Sequence, residues 1–168
     1  VNHTNRIPDN YKVILTKLDN GKEVDSRIVL ELSQMFRAAR KDDIYMQVNE
    51  GYRSSHSQQK ILDNRTDYYK SKGLFTILAR RYALNYVSAP GTSEHQLGLA
   101  VDIVGDYRYT TNQSAYRWLE RNAYKYGFVK RYPKSKTSIT HIKHEPWHYR
   151  YVGKKAALKM HQKNLCLE

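Results

Sequence analysis

The stretch TSEHQLGLAVDI, residues 92–103, places a glycine and an aspartate in the apolar run LGLAVDI of a basic and polar chain, and a histidine two residues before that run. The apolar residues predict a core strand. His95 and Asp102 are seven positions apart, so an uninterrupted strand would point their side chains to opposite faces of a sheet. A turn or bulge at Gly98 would let both side chains converge. A charged aspartate in a core strand is costly to bury, and metal ligation would remove that cost.

The length and the cysteine content of the chain restrict its class. With 168 residues the chain is long enough to bury a core without cross-links, and we expect a single domain over residues 1–168. Residues 1–25 are expected to form an N-terminal arm and a first strand. The single cysteine, Cys166, excludes a disulfide scaffold and a cysteine-ligated metal site.

The formal net charge of +13 predicts attraction to polyanions such as nucleic acid, anionic lipid or an anionic cell wall. The basic residues are spread over the whole length, and no RNP, zinc-finger or KH pattern is present, so we expect no dedicated nucleic-acid partner. Electrostatic association with an anionic membrane or wall stays open, beside an ordinary solvated surface. No apolar run approaches the roughly 18 to 20 residues of a membrane span.

Periodicity along the chain predicts helices around a small set of strands. Residues 27–41 have apolar side chains at the spacing of one helix face, and residues 112–127 repeat this pattern up to Gly127. A helix is also expected from Ser55 to about residue 73, because Ser55 and Gln58 have the spacing of a capping box. The other expected elements are strands at 44–51, 128–132 and 139–153, and helices at 74–86 and 154–163. This order predicts an α+β fold with a central, mainly antiparallel sheet flanked by helices.

The segment HIKHEPWH, residues 141–148, offers three histidines and one carboxylate. With His95 and Asp102, His148 would complete two imidazoles and a carboxylate, the ligand set of a catalytic zinc site whose fourth position stays open to water. Spacing alone does not choose among the three histidines. Taken singly, each ligand candidate has an ordinary alternative: a surface or helix-capping histidine, a turn aspartate, or a half-buried strand histidine.

Glu145 stands three residues before His148, and Pro146 between them disfavours a regular helix or a central strand. A bent loop here would let His148 bind the metal while Glu145 stays beside the bound water. Metal-assisted hydrolysis needs this division of roles. The metal lowers the pKa of the water toward about 7, and the carboxylate accepts its proton and later passes it to the leaving amine.

Three motifs in this order resemble those of one enzyme family. Residues 90–103 match a Ser-x-His-x-x-Gly-x-Ala-x-Asp motif, residues 145–153 contain Glu-x-x-His, and residues 50–59 resemble an upstream Gly-Tyr-Arg segment. These are motifs of the zinc D,D-peptidases: the VanY-type D-alanyl-D-alanine carboxypeptidases and the D,D-dipeptidases of vancomycin resistance, grouped with lysostaphin-type peptidases and the hedgehog signalling domain. The resemblance extends over about residues 45–153.

The resemblance implies a mixed α+β fold, one Zn²⁺ per chain and a set of site residues. Arg53 also has an ordinary alternative as a surface ion pair, and Gln58 has one in the capping box. The implied site residues are His95, Asp102 and His148 as zinc ligands, Glu145 as catalytic base, Arg53 as the cation that holds the scissile carbonyl oxygen or the substrate carboxylate, and Ser93 and Gln58 as further substrate contacts.

Two substrates compete within the resemblance. A carboxypeptidase would remove the terminal D-Ala of a peptidoglycan pentapeptide precursor or stem, whereas a dipeptidase would cleave free D-Ala-D-Ala and need a group for its ammonium. Glu50, directly before the Gly-Tyr-Arg segment, is a candidate for that group, although it also fits an ordinary strand end. The positive charge favours anionic precursors or polymer. We expect a D,D-carboxypeptidase with the dipeptidase reaction as a second activity, contributing to glycopeptide (vancomycin) resistance or cell-wall remodelling.

Other functions remain as alternatives. An L,D-carboxypeptidase of cell-wall stems would carry a very similar motif set, and a noncatalytic zinc-binding recognition module would keep the ligands. The substrate implies a bacterial cell envelope location, reached through a membrane anchor or an export signal preceding Val1. A cytoplasmic location is the alternative, and no feature of the sequence sets the oligomeric state.

Overall fold

A four-stranded antiparallel sheet lies at the centre of the fold, in the strand order β3-β4-β6-β5. The structure is a computed structural model that describes all 168 residues. The strands are β1 (Leu15–Lys17), β2 (Glu23–Asp25), β3 (Met46–Glu50), β4 (Ala100–Gly105), β5 (Phe128–Tyr132) and β6 (Glu145–Tyr151). The helices are α1 (Val29–Lys41), α2 (Ser55–Ser71), α3 (Thr76–Leu84), α4 (Asn112–Asn122), α5 (Thr137–Thr140) and α6 (Lys154–Gln162). β1 and β2 form a separate antiparallel pair, and the predicted α+β fold is confirmed.

One face of the sheet is covered by α1 and α4. Apolar side chains of these helices and of the strands form one buried cluster, to which β4 contributes Val101 and Ile103 and β6 contributes Tyr149. Because side chains alternate along a strand, the intervening Asp102 and the preceding His148 point to the opposite face. The two residues are directly paired across the β4–β6 ladder. Because the core-facing side chains set the alternation in both strands, Asp102 and His148 lie on the second face of the sheet.

The helix predictions hold for most elements. α1 has the predicted apolar face and is preceded by a 3₁₀ turn, Ser26–Ile28, while α4 continues through a 3₁₀ turn that ends at Gly127 in a left-handed conformation, with φ of 87°. α2 begins at Ser55 as expected, but the predicted capping box is wrong. The Ser54 hydroxyl accepts the hydrogen bond from the Ser57 backbone N–H at 3.1 Å.

The segment 139–153 departs from its expected continuous strand. Its first part belongs to α5, and β6 begins only at Glu145. The predicted bent loop around Pro146 is also wrong, because Pro146 lies inside β6. The strand tolerates this proline because the ladder with β4 begins at His148, beyond the proline, and the pairing with β5 is irregular between Glu145 and Tyr149. None of the helices combines the length and the apolar content needed to cross a membrane.

Candidate metal centre and active site

Three of the predicted side chains meet on the second face of the sheet. Asp102 Oδ1 lies 3.0 Å from His148 Nδ1 and 3.5 Å from His95 Nε2. One possible ligand atom from each residue lies within 4.8 Å of the other two. All three side chains are largely buried, with Asp102 the most exposed at 16 %. The cross-strand pairing supplies two of these residues, and a separate turn supplies the third.

That turn is the predicted interruption at Gly98. His95 lies in a 3₁₀ helix, Glu94–Leu97, which ends at Gly98 in the left-handed conformation with φ of 68°. A Cβ atom at this position would approach the Asp25 backbone nitrogen to 2.9 Å, so both the backbone conformation and the packing require glycine. The break in the alternation is confirmed. It allows His95 to face Asp102 although the two are separated by an odd number of residues.

The cluster meets the chemical requirements of a zinc site. Asp102 Oδ1 is buried and has no hydrogen-bond partner of suitable geometry, which is the condition of an anionic atom placed for a cation. His95 Nδ1 lies 2.8 Å from the Gly51 carbonyl oxygen, which assigns its proton to Nδ1 and leaves Nε2 free as a ligand. His148 presents Nδ1 to Asp102. Two imidazole nitrogens and one carboxylate oxygen fit Zn²⁺ with an open fourth position.

Protons and a metal would compete for these atoms. Burial lowers the pKa of His148, but its close contacts with the carboxylates of Asp102 and Glu94 outweigh burial and raise it to about 9. Burial raises the pKa of the Asp102 carboxyl, yet its contacts with His148 and His95 bring the net pKa well below its usual range. A metal that binds here must therefore displace a proton from His148.

Glu145 lies beside the cluster. Its Oε2 is 3.7 Å from His148 Nδ1, and its side chain is 26 % exposed to the cavity. Burial, as the largest cause, raises the pKa of the Glu145 carboxyl. A carboxyl beside the candidate ligands, whose burial favours its protonated form, is placed to act as a general base.

Arg53 lies next to His95 and is held by several contacts. Its backbone N–H donates to the His95 carbonyl at 3.1 Å, and its Nη1 donates to Gln58 Oε1 at 3.0 Å. Gln58 is 1 % exposed and also donates from Nε2 to the Ser88 carbonyl at 2.7 Å. Since both ends of the Gln58 amide are occupied, Gln58 fixes the guanidinium and is not a helix cap. Arg53 Nε is buried and lacks a partner.

One cavity of about 200 Å³ joins most of the predicted residues. Its wall includes three aromatic side chains, Tyr86, Tyr132 and Trp147. The predicted site residues that line it are Arg53, Gln58, Ser93, His95, Asp102, Glu145 and His148. Glu50 is the exception. Its carboxylate lies 3.4 Å from Arg53 Nη2 and 3.8 Å from Lys22 Nζ, and it borders a neighbouring depression on the other side of Arg53.

The structure separates the three histidines of the tail. His144 Nδ1 lies 3.0 Å from the Tyr132 carbonyl oxygen, and the ring of His141 packs edge-on against His3 at a centroid distance of 5.8 Å. Only His148 lies beside Asp102. The β4–β6 register therefore identifies His148 as the tail histidine at the candidate metal centre, which spacing alone did not.

Glu94 is the site residue that the sequence analysis missed. Its side chain is 1 % exposed, and its Oε2 lies 3.5 Å from His148 Nε2. Burial raises the pKa of Glu94, but His148, Arg131 and Arg150 lower it to about 2, so the group is a buried carboxylate. The sequence carries no local signal for this role, because polar residues flank Glu94 on both sides and Lys130 directly precedes Arg131.

Known proteins resemble this chain over its whole length. A family model described as VanY: D-alanyl-D-alanine carboxypeptidase matches residues 21–154. A D-alanyl-D-alanine carboxypeptidase of Enterococcus faecalis (strain ATCC 700802 / V583) is 49% identical over 168 residues, covering 100% of this chain and 63% of that protein. The solved structure of VanYB in complex with D-alanine-D-alanine has a TM-score of 0.94 at 49% identity, covering 99% of this chain and 92% of that one.

A second solved structure is a mutant of a vancomycin resistance D,D-pentapeptidase VanY in complex with Zn(II). It has a TM-score of 0.93 at 49% identity and covers 99% of this chain and 94% of that one. The chain spans between 45% and 63% of the length of the curated relatives it matches. The resemblance to the zinc D,D-peptidases is confirmed, and the chain belongs to the VanY family of D-alanyl-D-alanine carboxypeptidases.

Proposed function

We propose that this chain is a zinc-dependent D,D-carboxypeptidase that removes the C-terminal D-Ala from peptidoglycan pentapeptide precursors or stems. The observation that carries the proposal is one cavity that holds two imidazoles and a carboxylate around an unpaired Asp102 oxygen, with Glu145 and Arg53 on its wall. Hydrolysis of a terminal peptide bond needs these three functions: a metal site, a base and a fixed cation.

His95 Nε2, Asp102 Oδ1 and His148 Nδ1 would hold the zinc ion. Bound Zn²⁺ supplies Lewis-acid polarisation of the scissile carbonyl and lowers the pKa of a water molecule toward about 7. Glu145 Oε2 accepts a proton from the attacking water and then donates it to the nitrogen of the leaving D-Ala. The position of Glu145 beside His148 on the cavity wall supports this role, and burial, which raises its pKa, favours its holding the proton before transfer to the leaving group.

Arg53 binds the oxygen of the scissile carbonyl or the free carboxylate of the terminal residue. A guanidinium carries a permanent charge and forked donors, which suit either anionic group. Gln58 and the His95 carbonyl hold Arg53 from two sides, so little reorientation is needed when substrate binds. Ser93, which is 5 % exposed and lines the same cavity, is a further substrate contact.

The pentapeptide end is favoured over the free dipeptide. The carboxylate of Glu50 is already close to Arg53 and Lys22 and borders a different depression, which gives little support to a role in holding the dipeptide ammonium. The net charge of +13 would raise the local concentration of anionic precursors or polymer. We therefore place the dipeptide second and the protein at the bacterial cell envelope, in glycopeptide resistance or wall remodelling.

A substrate panel tests this function. The zinc-loaded protein is incubated with a pentapeptide ending in D-Ala-D-Ala, with free D-Ala-D-Ala and with a tetrapeptide ending in an L,D bond, each with and without a zinc chelator. We expect chelator-sensitive release of D-Ala, fastest from the pentapeptide. Cleavage of the tetrapeptide alone would establish an L,D-carboxypeptidase, and zinc binding without cleavage of any peptide would establish a recognition module.

A further inference from the structure

The carboxylate of Glu94 lies behind His148, on the side opposite the candidate metal position. His148 Nδ1 faces Asp102 Oδ1 at 3.0 Å, while His148 Nε2 faces Glu94 Oε2 at 3.5 Å. His148 Nε2 and Glu94 Oε2 are both buried, and neither has a hydrogen-bond partner elsewhere or a hydrogen bond of standard geometry to the other. Because buried donors and acceptors are nearly always satisfied, each is the natural partner of the other.

The other oxygen of Glu94 is held by cations. Oε1 accepts a hydrogen bond from Arg131 Nε at 2.8 Å and lies 3.3 Å from Arg150 Nη1. These contacts fix the plane of the carboxylate and leave Oε2 directed at His148. Glu94 and His95 are adjacent in one 3₁₀ turn. His95 is itself a candidate ligand, and Glu94 supports His148, the other candidate histidine ligand.

Arg131 is in turn held by Glu168, the last residue of the sequence. Nη1 and Nη2 of Arg131 donate to the two Glu168 side-chain oxygens at 2.8 and 2.6 Å, a bidentate pair. Arg131 is only 2 % exposed, so it depends on these carboxylates for the compensation of its charge. The contacts run from His148 through Glu94 and Arg131, which are buried, to Glu168 at the surface, and each charged group contacts one of opposite sign.

We propose that Glu94 is a positioning residue for the metal centre. It accepts the Nε2–H of His148, fixes the tautomer in which Nδ1 is free to bind the metal, and holds the ring at the angle that directs Nδ1 toward Asp102. Arg131 and Glu168 act one and two steps further away by fixing Glu94. This inference rests on the proposed zinc site and deepens it, since loss of such an outer carboxylate typically weakens metal binding by about 10–100-fold.

Zinc affinity, measured by competition with a chromophoric chelator, tests the proposal without any substrate. We expect Glu94→Gln to weaken zinc binding by about 10–100-fold and Glu168→Gln to weaken it by less. The matched control is Glu120→Gln, which removes an exposed carboxylate paired with Lys130 at 2.7 Å and should leave zinc affinity unchanged. Wild-type affinity in Glu94→Gln would overturn the inference, whereas a wild-type protein that binds no zinc would overturn the proposed function itself.

A double variant separates positioning from charge compensation. If Glu94 served only to neutralise Arg131, then Glu94→Met combined with Arg131→Met, which removes both charges, should restore wild-type zinc affinity. We expect the double variant to fold and to stay about 10–100-fold weaker in zinc binding. Restored affinity would contradict the inference, even if Glu94→Gln alone had failed to fold.

A spectroscopic readout reports on the contact directly. In the zinc-loaded, ¹⁵N-histidine-labelled protein, we expect a low-field Nε2–H proton signal from His148 that moves upfield in Glu94→Gln and stays in place in Glu120→Gln. An unchanged His148 signal in Glu94→Gln would show that Glu94 does not accept this proton.

Discussion

The two imidazoles of the candidate metal centre are held in different ways. His95 is fixed by the main chain: its Nδ1 contacts the Gly51 carbonyl at 2.8 Å, and its own carbonyl accepts the Arg53 backbone N–H at 3.1 Å. His148 is fixed at its outer nitrogen by a side chain, the buried carboxylate of Glu94. One support is a neutral main-chain carbonyl, and the other is a charged side chain that few substitutions could replace.

This difference predicts which mutations affect each half of the metal centre, that is, the half that holds His95 and the half that holds His148. The support of His95 can be disturbed only by moving the backbone, whereas the support of His148 depends on side chains from segments far apart in the sequence. These segments supply Glu94, Arg131 and Glu168. The two halves should respond alike to the loss of a ligand and differently to the loss of a support.

Removal of either imidazole should have the largest effect. His95→Ala and His148→Ala each leave two ligands, so we expect both variants to lose zinc by more than the roughly 10–100-fold attributed to outer contacts. Elemental analysis after dialysis should find about one zinc per wild-type chain and almost none in either variant. A full complement of zinc in one variant would remove that histidine from the ligand set and break the symmetry of the comparison.

Glu145 belongs to neither half, and its loss should separate catalysis from metal binding. We expect Glu145→Gln to lower kcat by about 10²–10⁴-fold, the usual contribution of a general base, while zinc content stays near one per chain. The measurement is D-Ala release from a pentapeptide, with zinc content determined on the same preparation. Unchanged turnover with zinc bound would show that another group takes the proton.

The Gly51→Ala variant tests the main-chain support of His95. A Cβ atom at this position would lie 2.2 Å from the Glu23 carbonyl oxygen, so the backbone that supports His95 must shift. We expect a loss of about 1–3 kcal/mol in the free energy of unfolding, as for other overpacked sites, and weaker zinc binding. The control is Gly73→Ala, where no atom lies within 4 Å of the added Cβ: stability should fall but zinc affinity should not. Equal zinc affinity in both variants would mean that the Gly51 carbonyl does not hold His95.

The sequence predicted the parts of the fold that depend on local patterns. The apolar spacing of α1 and the glycine breaks at Gly98 and Gly127 are local, and the structure has them as expected. The strand character around Pro146 could not be read locally, because the tolerance for proline depends on where the ladder with β4 begins. The same limit applied to His148, which only the β4–β6 pairing and the family motif distinguish from its neighbouring histidines.

The contacts of Glu94, the site residue that the sequence analysis missed, also depend on residues far apart in the sequence. The Ser-x-His motif leaves Glu94 as a variable position, yet Glu94 contacts residues 37 positions further along the chain and beyond. No periodicity connects Glu94 with Arg131 and Glu168. Glu94 stands among polar residues, so its charge alone does not indicate that it is buried, and no local pattern connects it with the other two.

Acidification should produce the smallest effect, at the outer end of the His148 support. Burial raises the pKa of the Glu168 carboxyl, but its hydrogen bonds and charge interaction with Arg131 outweigh burial and hold the pKa below its usual value of 4.5. A carboxyl whose pKa is lower in the folded state stabilises the fold at pH values above its unfolded pKa. That stabilisation is lost as the pH falls through the folded pKa.

The comparison of wild type with Glu168→Gln isolates this contribution. In the metal-free proteins at neutral pH, we expect the variant to be less stable by about 1 kcal/mol, a decrease of about 2–4 °C in Tm, because part of the pair is exposed to solvent. Glutamine mimics a protonated glutamate, so the two thermal unfolding curves should converge as the pH falls below 4.5. A Tm difference that persists unchanged at acid pH would show that Glu168 acts through packing. The charge chain behind His148 would then end at Arg131, and the two halves of the metal centre would differ by one carboxylate instead of two.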